Sequence, residues 1–161
     1  MITNKPLFTI ITPTLNNKAE LLETINSIKA QNFNDYEYIV IDGGSTDGTI
    51  ELLKENNTIT SWISENYRGI YDAINKGIKT SKGKYINTIN AGDTYFSKNS
   101  LTIIKGYIEQ KNISFVFGAV KKNKVYYKYE PKKMNWSFNF YPSHSGGFFI
   151  KREVHDKIGL Y

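Results

Sequence analysis

The stretch YEYIVIDGGSTDGTIELLKEN (residues 36–56) decides how the rest of the chain is read. Its first seven residues are short, β-branched and aromatic, and they read as a strand buried on both faces. A turn rich in glycine, serine and aspartate follows, and IELLKEN then carries apolar residues at helical spacing. Strand, tight turn and helix together make the repeating unit of an open α/β sheet. Ligands of such sheets lie beyond the carboxyl ends of the strands, so Asp42, the last residue of this strand, stands where function is expected.

The same unit recurs on both sides. LFTIIT (residues 7–12) reads as a buried strand closed by Pro13, and after it Asn17 with Glu20 resembles a capping box for a helix bearing Leu21, Leu22, Ile25 and Ile28 on one face. Downstream, TITSWIS and KYINTIN read as strands, GIYDAINKGIKTS as a helix ending near Gly83, and SLTIIKGYIEQ as a helix with Leu101, Ile104 and Ile108 inward. Alternation of this kind predicts right-handed crossovers and a mostly parallel sheet. From Ile113 the pattern changes: ISFVFGAV and KVYYKYEP flank a Lys-Lys-Asn turn and predict an antiparallel pair, which makes the sheet mixed. Residues 132–149 read as a loop and residues 151–157 as a short helix, with His155 on its surface. No repeat or linker divides the chain, so one domain over residues 1–161 is expected.

Composition narrows the classes. With 161 residues, 40% apolar and 22% charged, the chain can build a core and is not of disordered type. Its net charge of +6 suits an anionic partner: nucleic acid, a phosphorylated small molecule or an acidic membrane face. The absence of cysteine excludes a disulfide framework, a thiolate metal site and a cysteine nucleophile. The first seventeen residues lack the features of a secretory signal, and no run reaches the ~20 apolar residues of a membrane span, so a soluble, cytoplasmic chain is expected.

At the predicted carboxyl edge stand Thr12 with Thr14, Asp42, Glu65, and Asn90 with Asp93. Asp42 is either a turn former or a carboxylate free to accept hydrogen bonds from a ligand, Ser45 and Asp47 being the better cap candidates. The turn matches neither G-x-G-x-x-G nor a Walker loop. Phosphates would instead be met by a hard cation, Mg²⁺ or Mn²⁺, held by Asp93, with small Ala91 and Gly92 letting a metal–diphosphate group approach the backbone. The alternative for NAGD (residues 90–93) is a plain β-turn. Arg68 offers a guanidinium suited to phosphate oxygens, or is a solvated loop residue.

PTLNN, VIDGGSTDGT, GIYDAINKGI, SKGKYINTINAGD and HSGGFFIKREV occur in an order and at spacings that resemble the family 2 glycosyltransferases of the GT-A fold, above all the bacterial enzymes that build O-antigen and capsular polysaccharide. The resemblance implies a nucleotide-diphospho-sugar donor, UDP favoured, a saccharide or lipid-linked acceptor, and inverting, metal-assisted transfer. It implies further that residues 1–112 form roughly the nucleotide-binding half and residues 113–161 the start of the acceptor half. Pro13 and Thr14 match the position beside the base, Asp42 the acidic residue that reads it, and Gly69 and Asp72 the segment lining the sugar-diphosphate. Asn90, Ala91 and Gly92 fill positions that the strict metal motif reserves for acids, and Asp93 matches its last acidic residue. His144 matches a position near the acceptor or diphosphate.

The family's general base is expected shortly after HDKIGLY, beyond Tyr161, and Asp156 does not match it. The expectation is therefore a donor-binding domain of a C-terminally truncated chain, inactive alone if the base is missing. Three alternatives remain: a non-catalytic nucleotide-sugar-binding domain, a sugar-phosphate nucleotidyltransferase, and a basic nucleic-acid-binding module. The second wants a Gly-rich loop with Arg and Lys after strand one, which TPTLNNKAE lacks. The third wants a basic stripe interleaved with surface aromatics, whereas the lysines here are scattered, so no nucleic-acid partner is expected. The basic surface suits peripheral contact with anionic lipid at the inner face of a membrane.

Overall fold

A computed structural model of the chain describes residues 5–111, 113–118, 120–122, 125–127 and 145–161. Four strand–helix units come first: β1 (Phe8–Thr14), α1 (Lys18–Lys29), β2 (Tyr36–Asp42), α2 (Thr49–Glu55), β3 (Ser61–Ser64), α3 (Ile70–Thr80), β4 (Tyr85–Thr88) and α4 (Ser100–Lys111). β5 (Phe115–Phe117), β6 (Val120–Lys122), β7 (Val125–Tyr127), β8 (Phe148–Lys151) and α5 (Arg152–Ile158) follow. The main sheet has the order β3-β2-β1-β4-β8-β5, parallel from β3 to β4 and antiparallel at β8 and β5.

Alternate residues of the central strands explain their unbroken apolar runs. Phe8, Ile10, Tyr38, Val40 and Tyr85 share one core with Leu21, Ile25 and Ile28 of α1, Leu53 of α2, and Leu101 and Ile108 of α4. Ile11, Ile39, Ile41 and Ile86 share another with Ala73, Ile74 and Ile78 of α3. Both faces are covered, so both residue parities must be apolar. At the opposite end from the site, Glu37 is 7% exposed and its carboxylate accepts hydrogen bonds from the Thr9 hydroxyl at 2.5 Å, from Gly83 N–H at 2.9 Å and from Lys82 N–H. This pins the α3–β4 turn to β1 and β2.

Five expectations are corrected. β5 does not join the predicted antiparallel pair; it pairs with β8, while β6 and β7 form a separate ribbon. β8 itself occupies residues expected as the end of a loop, because four residues inserted between two partners carry too little periodicity to announce a strand. The capping box is not formed either: Asn17 sits at the N-cap of α1, but its amide donates to the Glu20 carboxylate, and Lys18 N–H is capped from outside, by the Asp47 carboxylate at 2.9 Å. α3 ends at Thr80, where Ser81 turns extended, ahead of Gly83. His155 is 7% exposed rather than on the surface. Among the described residues no helix is long and apolar enough to cross a membrane.

Candidate functional site

The register of β1, β2 and β3 sets Thr14, Asp42 and Ser64 in one row at the carboxyl edge. The chain leaves β1 toward β2 and β3, then returns to place β4 on the other side of β1. That reversal makes the β1/β4 boundary the switch point where a ligand crevice opens in sheets of this kind. Thr14 ends β1 and Asn90 follows β4 by two residues. Thr14 Oγ1 and Asn90 Oδ1 are both buried without a hydrogen-bond partner among the described residues. An unmatched buried polar group costs about 1–3 kcal/mol, so two at the switch point are a standing cost that a ligand would relieve.

Asp42 behaves otherwise. It is fully buried, and its Oδ2 accepts from Gly44 N–H and Ser45 N–H, each at 3.0 Å, and from the Ser64 hydroxyl at 2.6 Å; the Ser45 hydroxyl donates to Oδ1. Of the two readings of Asp42, the turn former is seen: the carboxylate folds its own turn and ties it to β3, and Oδ1, with one donor, keeps a further acceptor site. Ser45 does not cap α2; its hydroxyl oxygen accepts Asn16 N–H at 2.7 Å. Asp47 caps both neighbouring helices, accepting from Thr49 N–H at 3.1 Å and the Thr49 hydroxyl at 2.6 Å as well as from Lys18 N–H. These bonds hold its carboxyl below the usual range, the Thr49 hydroxyl contributing most.

Tyr67, which the sequence did not single out, lies across this row. Its hydroxyl donates to the Thr14 carbonyl at 3.2 Å, and a Cβ at Gly43 would meet its ring at 2.9 Å. Burial, and then the Asp42 charge, push its phenol up, so it remains a donor at neutral pH. Arg68 and Gly69 are exposed just beyond, Gly69 with a φ of +88° that a side chain would strain. Asp72 reaches back from the first turn of α3 to accept Arg68 N–H at 2.9 Å, and it pairs with Lys76 at 3.3 Å. Lys76 also pairs with Glu65 at 3.0 Å. Asp72 thus fixes the entrance to α3, its carboxyl held down by the Arg68 N–H and then by Lys76.

On the β4 side, α1 grips the turn that carries Asp93. Gly92 N–H donates to the Glu20 carbonyl at 3.1 Å and to the Thr24 hydroxyl at 2.9 Å, and that hydroxyl donates to the Asp93 carbonyl at 2.8 Å. Gly92 has φ +92°, and a Cβ there would meet the Glu20 carboxylate at 3.3 Å. Its smallness therefore has a cause inside the fold, apart from any approaching ligand. The turn is closed by Asp93 N–H on the Asn90 carbonyl at 3.0 Å, so the plain β-turn and the candidate site coincide. Asp93 lines a cleft of about 400 Å³ that runs between α4 and the Gly146–Phe149 region. Asn87, a buried polar residue inside an apolar strand, forms part of that junction: its amide donates to the carbonyls of Gly146 at 3.1 Å and Phe148 at 2.8 Å.

No cluster of three or more acidic or histidine side chains exists among the described residues, so a cation here would rest on few protein ligands. One carboxylate at Asp93, the uncommitted Asn90 Oδ1 in the same turn, and oxygens from a bound phosphate are a donor set that a hard divalent cation accepts. Ala91 packs on the apolar core beside them. Pro13 is buried in β1 one residue before Thr14. His144 lies outside the described residues.

Comparison with known proteins adds an independent line. The sequence profile described as Glycosyl transferase family 2 matches residues 9–161. The chain is similar to a PGL/p-HBAD biosynthesis glycosyltransferase of Mycobacterium bovis BCG, 32% identical over 123 residues that make up 71% of this chain and 47% of the relative. In structure it resembles the mannosyltransferase PcManGT of Pyrobaculum calidifontis, solved with GDP-Man and Mn²⁺: TM-score 0.75, 20% identity, 99% of this chain and 48% of that one. It likewise resembles residues 1–349 of S. aureus TarS in complex with UDP-GlcNAc, at TM-score 0.74 and 20% identity over 92% of this chain and 46% of that one. The chain thus spans about half the length of the proteins it matches.

Proposed function

This chain belongs to the family 2 glycosyltransferases and has their GT-A fold, and from that premise we propose that it binds a nucleotide-diphospho-sugar at the β1/β4 crevice for inverting, metal-assisted transfer to a saccharide or lipid-linked acceptor. The observation that carries the reading is the pair of buried oxygens at Thr14 and Asn90 that have no partner among the described residues, one on either side of the crevice, Asn90 in the same turn as Asp93. The structural neighbours solved with GDP-Man and UDP-GlcNAc support this class of donor, and UDP is the nucleotide favoured here.

In this reading Pro13 and Thr14 face the nucleoside, and Asp42 acts at one remove by holding the 43–45 turn against β3. Tyr67 closes the row beside them. Gly69 and Asp72 shape the segment next to the diphosphate, where the exposed Arg68 guanidinium can reach phosphate oxygens in the forked geometry that suits them. Asp93 and Asn90, with the slim Ala91 leaving room beside them, would hold a divalent cation, Mn²⁺ or Mg²⁺. When bound, the cation neutralises the charge that develops on the departing diphosphate. The base that takes the acceptor's proton is assigned to no described residue.

Calorimetric titration with UDP, in Mn²⁺ and in EDTA, on the unmodified chain and on Asp93→Ala, tests this. Binding that needs both the metal and Asp93 is expected. Equal affinity in all arms would remove Asp93 and the cation from the site, and no binding of UDP would send the test to GDP and dTDP.

A further inference from the structure

The cleft beside Asp93 is walled by apolar side chains: Ile89 and Phe149 form its buried floor, Ile104 lies half-buried, and Phe96 and Ile103 stand at its lip, 72% and 55% exposed. Two of its three hydroxyl groups, those of Tyr95 and Ser100 but not Thr94, are committed within the fold. Tyr95 Oη donates to Asn87 Oδ1 at 2.7 Å, and the Ser100 hydroxyl donates to the Ser97 carbonyl at 2.8 Å while accepting Ser97 N–H at 3.2 Å. The Gly146 and Gly147 carbonyls that border it are taken by Asn87 and by Gly118 N–H. A sugar ring brings several hydroxyl groups, each of which needs a partner once it leaves water, and among the described residues this wall offers few side-chain groups beyond Asp93 and Thr94.

Resting on the transferase reading above, we propose that the cleft takes the apolar part of the acceptor, an aryl ring or alkyl chain, and thereby brings the neighbouring hydroxyl up to Asp93. Its volume of about 400 Å³ lies within the range of small-molecule sites, roughly 300–1,000 Å³, and is too small for a folded partner. At the lip Ile103 leaves 55% of its surface exposed and Phe96 72%, so both present apolar surface to whatever enters the cleft.

The test uses the chain labelled with carbon-13 at its isoleucine δ1 methyls and titrated with methyl, phenyl and octyl β-glucosides, which share a sugar and differ in the aglycone. Phenyl and octyl glucosides are expected to shift the Ile103 and Ile104 methyls and to bind at least about tenfold more tightly than the methyl glucoside. In the double variant Phe96→Ser with Ile103→Ser, that preference should fall below about threefold. Unchanged core signals from Ile10 and Ile25 show that the variant folds. Three glucosides that bind alike, or a preference that survives in the double variant, overturn the proposal. UDP, GDP and dTDP, each with Mn²⁺, are titrated separately: a chain that discriminates aglycones but responds to none of the three keeps the apolar cleft and loses the transferase reading, so the two failures are told apart.

Discussion

At Thr14 a hydroxyl is buried with no partner among the described residues, while one strand away the Asp42 carboxylate holds four donors; the two residues face each other in register. They therefore respond to substitution in opposite ways. Thr14→Val keeps the shape and removes the unmatched oxygen, so stability should hold or rise by up to about 1 kcal/mol while UDP binds several-fold more weakly. Thermal melting and nucleotide titration of the same sample would show both. Asp42→Asn replaces an acceptor of four hydrogen bonds with a group that must donate into the same turn, and urea unfolding should report a loss of about 2–4 kcal/mol with or without nucleotide. The sequence located Asp42 at a strand end because an apolar run closes there. It could not show that the carboxylate also ties its own turn to β3, since one of its donors, Ser64, arrives from a strand 22 residues away.

Helices α1 and α2 share one cap. Asp47 accepts from Lys18 N–H at the start of the first and from Thr49 at the start of the second, joining turns 29 residues apart. Asp47→Ala should lower the urea midpoint without changing the slope, and the size of the defect should depend on pH. The Asp47 carboxyl is held below its ordinary value in the folded chain, so its contribution is fully present above about pH 4 and is lost as pH falls through the depressed folded value. The gap between variant and wild type should be constant from pH 5 to 7 and narrow in acid; a gap that persists unchanged at low pH would show that the carboxylate's charge plays no part. The four strand–helix units were legible because each strand needs both residue parities apolar and each helix needs a buried stripe. What escaped was set by pairing at a distance: β8 becomes a strand because Asn87 on β4 and Phe115–Phe117 on β5 offer it partners, and Lys18 is capped by a neighbouring loop instead of its own Asn17.

Over the whole molecule, the last residues fold back onto the layer that borders the site. Tyr161 exchanges two hydrogen bonds with Asn75 of α3, at 2.7 and 3.0 Å, stacks on Tyr71 at 5.8 Å between centroids, and lies 5.6 Å from the ring of His155. Beneath it His155 is buried, with Nδ1 3.4 Å from the Gly159 carbonyl and Nε2 without a partner among the described residues. Sequence spacing placed His155 on a helix, but exposure on a helix of seven residues depends on what the chain does next, and here Gly159 turns it back over the ring. Burial lowers the imidazole's affinity for a proton; the Gly159 carbonyl and the Asp156 charge oppose this, and the Arg152 charge reinforces it. The unfolded chain, with an ordinary histidine near pH 6.5, therefore binds the proton first, and stability should fall as pH drops through 6.5 until the folded imidazole also titrates. The chain has two histidines, so the source can be isolated. Urea midpoints measured from pH 7.5 to 5 should slope downward in the unmodified chain and in His144→Gln, and become flat in His155→Phe, which keeps the buried ring and discards the unmet nitrogen. A slope that follows His144 instead would place the proton-linked contact outside the α3–α5 junction.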